Sequence, residues 1–313
     1  MPSSAVRNFT DPDDYAASIR AAQVEATVTG RGQFTAKLTR IDFHRLWMQR
    51  FSSDLPRILR VALMGRAIVE FRSAPGPGLV AGSLELRPNN ILRHSPADTF
   101  YQRSSESGSF ETMSLPVEDM VSVGEVLAGV DLTPPPAAML IAPPPAAMAK
   151  LQRLHAAAGD LAEYAPEIIA NPEAARGLEQ ALIGAMVNCL VHLQDRENSP
   201  VQGQHAIVMR RFRRVVEEND EYPLYIPEIC KAIGVSSRTL QACCHEHLGM
   251  GPKHYLVVRR MNLARRALRH AAIDTTVTEI ATRYGFWQLG RFAVAYHSLF
   301  GESPSATLAH QSA

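Results

Sequence analysis

The residue types able to do chemistry concentrate in the last hundred positions. The run Cys243-Cys244-His245-Glu246-His247 gathers thiol, imidazole and carboxylate groups, the usual ligands of zinc. On a helix, however, the apolar stripe through Leu240, Cys244 and Leu248 turns Cys244 inward and His245 away, and no second ligand pair such as C-x-x-C accompanies the run. No metal site is expected there. A different chemistry suits the polar side of the same helix. Arg238 can pair with guanine O6 and N7, and Gln241 with adenine N6 and N7, each worth about 1–3 kcal/mol of discrimination between bases. Ser237, Ala242 and His245 lie on that side too. Some fifty residues later Gln288, Arg291 and His297 form a sparser polar set, in which Arg291 is the clearest base-reading candidate.

These side chains are carried by a repeat. Ile229, Gly234, Leu240, Cys244, Leu248, Gly249 and Pro252 recur as Ile280, Gly285, Phe292, Tyr296, Phe300, Gly301 and Pro304. Each copy predicts a short helix, a glycine-containing turn and a longer helix with one apolar stripe, which is a helix-turn-helix. Pro227 suits the first turn of its helix, where a missing N–H costs nothing. Thr276-Val277-Thr278-Glu279 is a capping box, and Ser236 an N-cap candidate. Between the copies, Val257, Met261, Ala264 and Leu268 predict a third helix, crowded by Arg259, Arg260, Arg265, Arg266 and Arg269. Arg210, Arg211, Arg213 and Arg214 flank another helix upstream. Phosphate contact is the expected use of both basic clusters. Trp287 is expected to pack between helices.

The motifs VSSRTLQACCHEHLGMGPKHYL and VTEIATRYGFWQLGRFAVAYHSLFGESPSATL resemble the DNA-binding domain of the AraC/XylS family of bacterial transcription regulators, over about a third of the chain. Ile280-Ala281, Gly285-Phe286, Phe292, Phe300-Gly301 and Pro304 fall on that family's spacing, and the tail looks most like regulators of the ethanolamine-utilisation type. The resemblance implies two helix-turn-helix units on promoter DNA, an N-terminal cupin-like β-barrel for a small effector, a dimerising helix, and activation through RNA polymerase. Gln288, Gly290 and Val294 depart from the family pattern, which puts the second helix's capping and phosphate contacts in doubt.

The N-terminal region fits that plan. Residues 34–39 alternate apolar with polar, and further β-like runs cover 59–72, 79–86, 99–103 and 110–115, separated by breakers at 74–78, 87–90 and 104–108. PPPAAM occurs at 134–139 and again at 143–148, suggesting a stiff, exposed connector. Helical periodicity follows at Leu151, Leu154, Ala158 and Leu161, and then at Leu178, Leu182, Ala185, Cys189 and Leu193. The second stripe fits two readings, packing on its own domain or a seam between two copies. The expected fold is thus α+β: a cupin-like domain over 1–133, a connector at 134–149, a helical dimerisation segment at 150–196, a linker at 197–204 and the DNA-binding domain at 205–313.

Trp47, Arg50, Phe71, His94 and Tyr101 are candidates for an effector pocket. His44 and His94 stand alone, and no G-x-S-x-G, P-loop or dinucleotide fingerprint occurs, so neither a cofactor nor an enzyme is expected. The alternative is a metal-dependent cupin enzyme fused to a DNA reader. With 32 Lys and Arg against 31 Asp and Glu the chain has a net charge of +1, which taken whole argues against a polyanion partner. Divided after residue 200, that figure becomes −4 and +5, and the positive part coincides with the repeat. Four cysteines, no basic-apolar leader, and a 177–193 stretch too short to span a bilayer lead to the expectation of a cytoplasmic protein without a membrane partner.

Overall fold

A computed structural model describes residues 1–73, 78–191, 200–219, 224–272 and 274–309. The breaker at 74–77, the first part of the 197–204 linker and Leu193 lie outside the described residues. Strands β1 (Ser3–Phe9), β2 (Ala22–Val28), β3 (Ala36–Asp42), β4 (Trp47–Ser53), β5 (Arg57–Leu63), β6 (Arg66–Phe71), β7 (Leu79–Ala81), β8 (Leu84–Leu86), β9 (Ile91–Arg93), β10 (Thr99–Ser104), β11 (Gly108–Pro116) and β12 (Met139–Ile141) form two antiparallel sheets. The larger has the order β1-β3-β4-β11-β6-β9-β12, the smaller β2-β5-β10-β7-β8. Among the described residues these are two separate sheets with no closed barrel. Closure is not needed to bury them, because each outer face has its own cover.

Helices α1 (Pro12–Ala17), α2 (Val117–Ala128), α3 (Pro145–Tyr164), α4 (Pro166–Ala170) and α5 (Pro172–Leu190) belong to the N-terminal part. The C-terminal part is all helix: α6 (Pro200–Glu217), α7 (Ile226–Ile233), α8 (Ser237–Leu248), α9 (Pro252–Arg269), α10 (Val277–Arg283), α11 (Leu289–Phe300) and α12 (Pro304–Ala309). Helices α2, α3 and α5 share a core with the outer face of the large sheet, joining Leu151, Ala158, Leu182 and Met186 to Met48, Phe71, Met113 and Leu115. The helical domain covers the outer face of the small sheet, where Ile58 and Tyr101 pack with Phe212, Leu240 and Tyr255. The order of layers is therefore helices, large sheet, small sheet, helical domain.

Strand alternation builds this stack. In β11, Met113 and Leu115 face the helices, while Phe110, Thr112 and Ser114 face the interior between the sheets. In β10, Tyr101 meets the helical domain, while Phe100 and Gln102 face the interior. Successive residues of a strand point to opposite faces, so one strand serves two layers.

Two sequence expectations change here. The Pro-rich connector is not a simple spacer: Met139–Ile141 pairs with β9 as an edge strand, and Pro145 opens α3. Pro145 lies in the first turn of its helix, where proline's missing N–H is harmless. The stripe through Leu182, Ala185 and Cys189 is buried inside its own domain, so internal packing, not a seam between copies, takes that face.

Candidate nucleic-acid interface

Local chemistry explains each helix-turn-helix. Pro227 falls in the first turn of α7, which ends at Gly234 with φ 74°, a left-handed residue that only glycine adopts without strain. Ser236 then caps α8, its side chain accepting from the Thr239 N–H at 3.1 Å. In the second unit Thr276 and Glu279 form the reciprocal capping box at the start of α10, and Gly285 has φ 77°. Helix α11 opens at Gln288 with no side-chain cap bond, in keeping with its departure from the hydroxyl pattern. Leu240, Cys244 and Leu248 in α8, and Phe292, Tyr296 and Phe300 in α11, are buried as the stripes require. The Tyr296 hydroxyl bonds that of Thr307 at 2.7 Å, tying α12 beneath α11.

The opposite faces are open. Ser237, Arg238, Gln241, Ala242 and His245 are exposed or nearly so on α8, and the Gln241 amide and the His245 ring lie 2.9 Å apart. Gln288, Arg291 and His297 are exposed at the second unit. Arg291 lines a cleft between α11 and the β2–β3 loop, with Arg31, Val294 and Ser298, and the Gly32 N–H donates to the Leu299 carbonyl at 3.2 Å. The first reader helix thus presents a free polar face, while the second adjoins the N-terminal domain.

Trp287 is 76% exposed at the turn before α11, not packed between helices as expected. Cys243 is buried along with Cys244, and burial pushes their thiols up to about 11 and about 12. Among the described residues no cluster of three or more His, Cys, Asp or Glu could hold a metal ion, and no helix is long and apolar enough to cross a membrane.

The basic cluster of α9 is the main correction. Arg265 binds Asp11 at 2.7 Å and Glu302 at 3.3 Å, Arg269 pairs with Asp11, and Arg266 pairs with Asp13. Arg259 lies 3.2 Å from Glu25, which also holds Arg60 at 2.6 Å. These arginines are spent on the N-terminal domain instead of standing free for phosphate. Burial alone would raise the Asp11 carboxyl, but its hydrogen bond to Arg265 and the charges of Arg265 and Arg269 hold it below the usual range. Buried Asn262 completes the contact like an extra strand: it accepts from the Val28 N–H at 3.0 Å and donates to the Val28 carbonyl at 3.1 Å. In α6, Arg210 and Arg211 remain exposed, as does Arg214.

Between the two sheets lies a small cavity of about 50 Å³. Of the five pocket residues named from sequence, His94 lines it and the other four lie elsewhere. Trp47 stacks with Arg66, Arg50 pairs with Asp160 of α3, Phe71 is buried beneath His155, and Tyr101 meets Tyr255. Alternation alone could not assign their faces, because both faces of both sheets are covered. Sequence reading missed Glu70 and Gln102; the signal for Glu70 was a carboxylate within the apolar β6, while Gln102 lies in the largely polar β10, which carries no such signal.

Comparison with known proteins converges on the same segment. A family model described as a helix-turn-helix domain matches residues 229–310. The chain is 40% identical over 94 residues to a probable thc operon regulatory protein of Rhodococcus erythropolis, covering 30% of this chain and 28% of that one. It is 37% identical over 101 residues to the XylDLEGF operon transcriptional activator 2 of Pseudomonas putida, covering 31% and 64%. The match therefore spans less than two thirds of either relative. Among solved structures, the AraC-like transcriptional activator CuxR aligns over 90% of this chain and all of its own at 14% identity, with a TM-score of 0.45. A probable AraC family transcriptional regulator from Rhodopseudomonas palustris aligns over 33% and 96% at 33% identity, with a TM-score of 0.30.

Proposed function

The chain belongs to the AraC/XylS family through its C-terminal helix-turn-helix domain, and from that premise we propose that it is a promoter-binding transcription activator governed by a small molecule in its N-terminal domain. The carrying observation is the pair of capped helix-turn-helix units with open polar faces, Ser237, Arg238, Gln241 and His245 on one and Gln288, Arg291 and His297 on the other. Base reading falls to Arg238, Gln241 and Arg291. Activation, with RNA polymerase as partner, is supported by the resemblance and by the name of the Pseudomonas relative, an operon activator.

Effector control is supported by the layering. Strands β5 and β10 present Leu59, Val61, Phe100 and Gln102 to the cavity and Ile58 and Tyr101 to the helical domain. A shift of either strand on ligand binding is felt directly by α8 and α9. The finer description of the N-terminal domain as cupin-like rests on these two antiparallel sheets enclosing a cavity. We assign it to residues 1–133, with the DNA-binding domain at 205–313. A homodimer in the cytoplasm follows from the resemblance, and its contact uses a surface other than the buried Leu182 stripe.

Gel-shift titration on DNA from the gene's own upstream region tests the reading. Arg238→Ala and Arg291→Ala should each weaken specific binding by about 1–3 kcal/mol and relax preference at one base position. Specific binding unchanged in both variants would sink the assignment.

A further inference from the structure

The cavity between the sheets contains a polar group that neither fold nor DNA binding uses. Glu70 in β6 is 2% exposed, yet it sits in an apolar strand and lines the cavity. Its Oε2 accepts from His94 Nε2 at 2.9 Å, and its Oε1 accepts from the Gln102 amide at 2.7 Å. His94, also 2% exposed, stacks on Phe100 with ring centroids 4.7 Å apart. The second nitrogen of His94, Nδ1, is buried and has no hydrogen-bond partner among the described residues.

That geometry dictates a polarity. A carboxylate beside Nε2 holds the ring proton there, because the carboxylate can only accept. With the proton on Nε2, Nδ1 carries a lone pair and seeks a donor. A buried acceptor left unsatisfied is unfavourable, so a partner that supplies N–H or O–H is strongly preferred. Much of the remaining wall is apolar, formed by Phe51, Phe110, Leu59, Val61 and Ile68. Its other charged wall residue, Arg20, is already neutralised by Asp42 at 2.8 Å. An anionic ligand would meet the Glu70 carboxylate with no free cation among the described lining residues to offset it.

We propose that this cavity binds a small, uncharged, mostly apolar molecule carrying one hydroxyl or N–H donor, which the molecule gives to His94 Nδ1, and that it excludes carboxylates. This rests on the reading of the N-terminal domain as the effector domain and names the class of effector. Glu70 is the positioning residue, setting the His94 tautomer, and Gln102 holds Glu70 in place. Because Phe100 and Gln102 share β10 with Tyr101, the occupied site adjoins the contact with the helical domain.

The test uses the full-length protein and three matched probes: 4-methylphenol, 1,4-dimethylbenzene and 4-methylbenzoate. Calorimetric titration should give binding of the phenol at least tenfold tighter than the hydrocarbon, and no binding of the carboxylate. His94→Phe should abolish the tenfold preference, and Glu70→Gln should reduce discrimination against the carboxylate. If either variant folds poorly, the wild-type imidazole nitrogen resonances give the answer, since the phenol should shift Nδ1 and leave Nε2 hydrogen-bonded. Equal affinity for the three probes, preference for the carboxylate, or an unmoved Nδ1 resonance would each overturn the proposal. So would failure of all three probes to bind. A gel shift run in parallel separates the two readings: loss of DNA binding refutes the regulator, whereas intact DNA binding with the wrong ligand preference refutes only the ligand class.

Discussion

Replacing Asp11 by Asn isolates the ion pairs that dock α9 on the N-terminal domain. The Asp11 side chain does two jobs. Its Oδ1 caps α1 by accepting from the Asp13 and Asp14 N–H groups at 2.9 and 3.1 Å, and its Oδ2 binds Arg265 and Arg269. Asparagine keeps the cap, since its carbonyl accepts equally well, but removes the charge facing the two guanidinium groups. A hydrogen bond to a charged group is worth about 1.5–3 kcal/mol. Arg265 retains Glu302 at 3.3 Å and Arg269 retains Asp14 at 3.6 Å, so the two losses do not add in full. The expected weakening is about 2–4 kcal/mol, roughly 30- to 1000-fold in the docking equilibrium. Hydrogen exchange of α1 and α9 amides should accelerate while the α3–α5 core keeps its protection. Freed arginines also become available to phosphate, so the salt dependence of DNA binding should steepen by up to about 0.9 per new contact. Unchanged exchange in α1 and α9 would refute the view that these pairs hold the domains together. The same linkage has a pH signature. The Asp11 carboxyl is held below its ordinary value of 3.8, so its stabilisation is full above that pH and is lost as the pH falls through the lower folded-state value.

Asn262→Ala should cost about 2–4 kcal/mol by leaving the buried Val28 N–H and carbonyl without a partner, read as a lower midpoint in urea; a midpoint matching wild type would show that the bridge contributes nothing. Leu182→Ala should destabilise by about 2–5 kcal/mol without altering the sedimentation coefficient, because its stripe is core; a shift in association state would restore the seam reading. Burial, helped by the Arg50 charge, pushes the His155 imidazole down to about 3. Its stabilisation is therefore complete above pH 6.5 and declines as the pH drops below that, by up to about 1.4 kcal/mol per unit. His155→Leu should flatten that slope, and a slope identical to wild type would show that other groups produce it.

Most of the DNA-binding half is legible in the chain itself. A helix-turn-helix is built by interactions over a few residues: Ser236 capping α8, Thr276 and Glu279 capping α10, and glycines in the left-handed region at the turns. Stripes such as Leu240, Cys244 and Leu248 then decide which side is buried, so the exposed side with Arg238 and Gln241 follows from periodicity. Trp287 escaped this logic because it lies in a turn, where no period assigns a face.

The sequence by itself also determined the split of charge, a net −4 before residue 201 and +5 after it. What it could not determine was where those charges meet. Asp11 and Arg265 are 254 residues apart, and only the docked domains bring them to 2.7 Å, converting arginines that suggested DNA contact into an internal joint. The cavity was hidden for a related reason. When both faces of a sheet are buried, apolar residues fall on both phases of the alternation, and the pattern no longer says which side holds Glu70, His94 and Gln102. Local hydrogen bonding and periodicity are encoded along the chain; the partner of a buried charge is decided by which surfaces the fold stacks together.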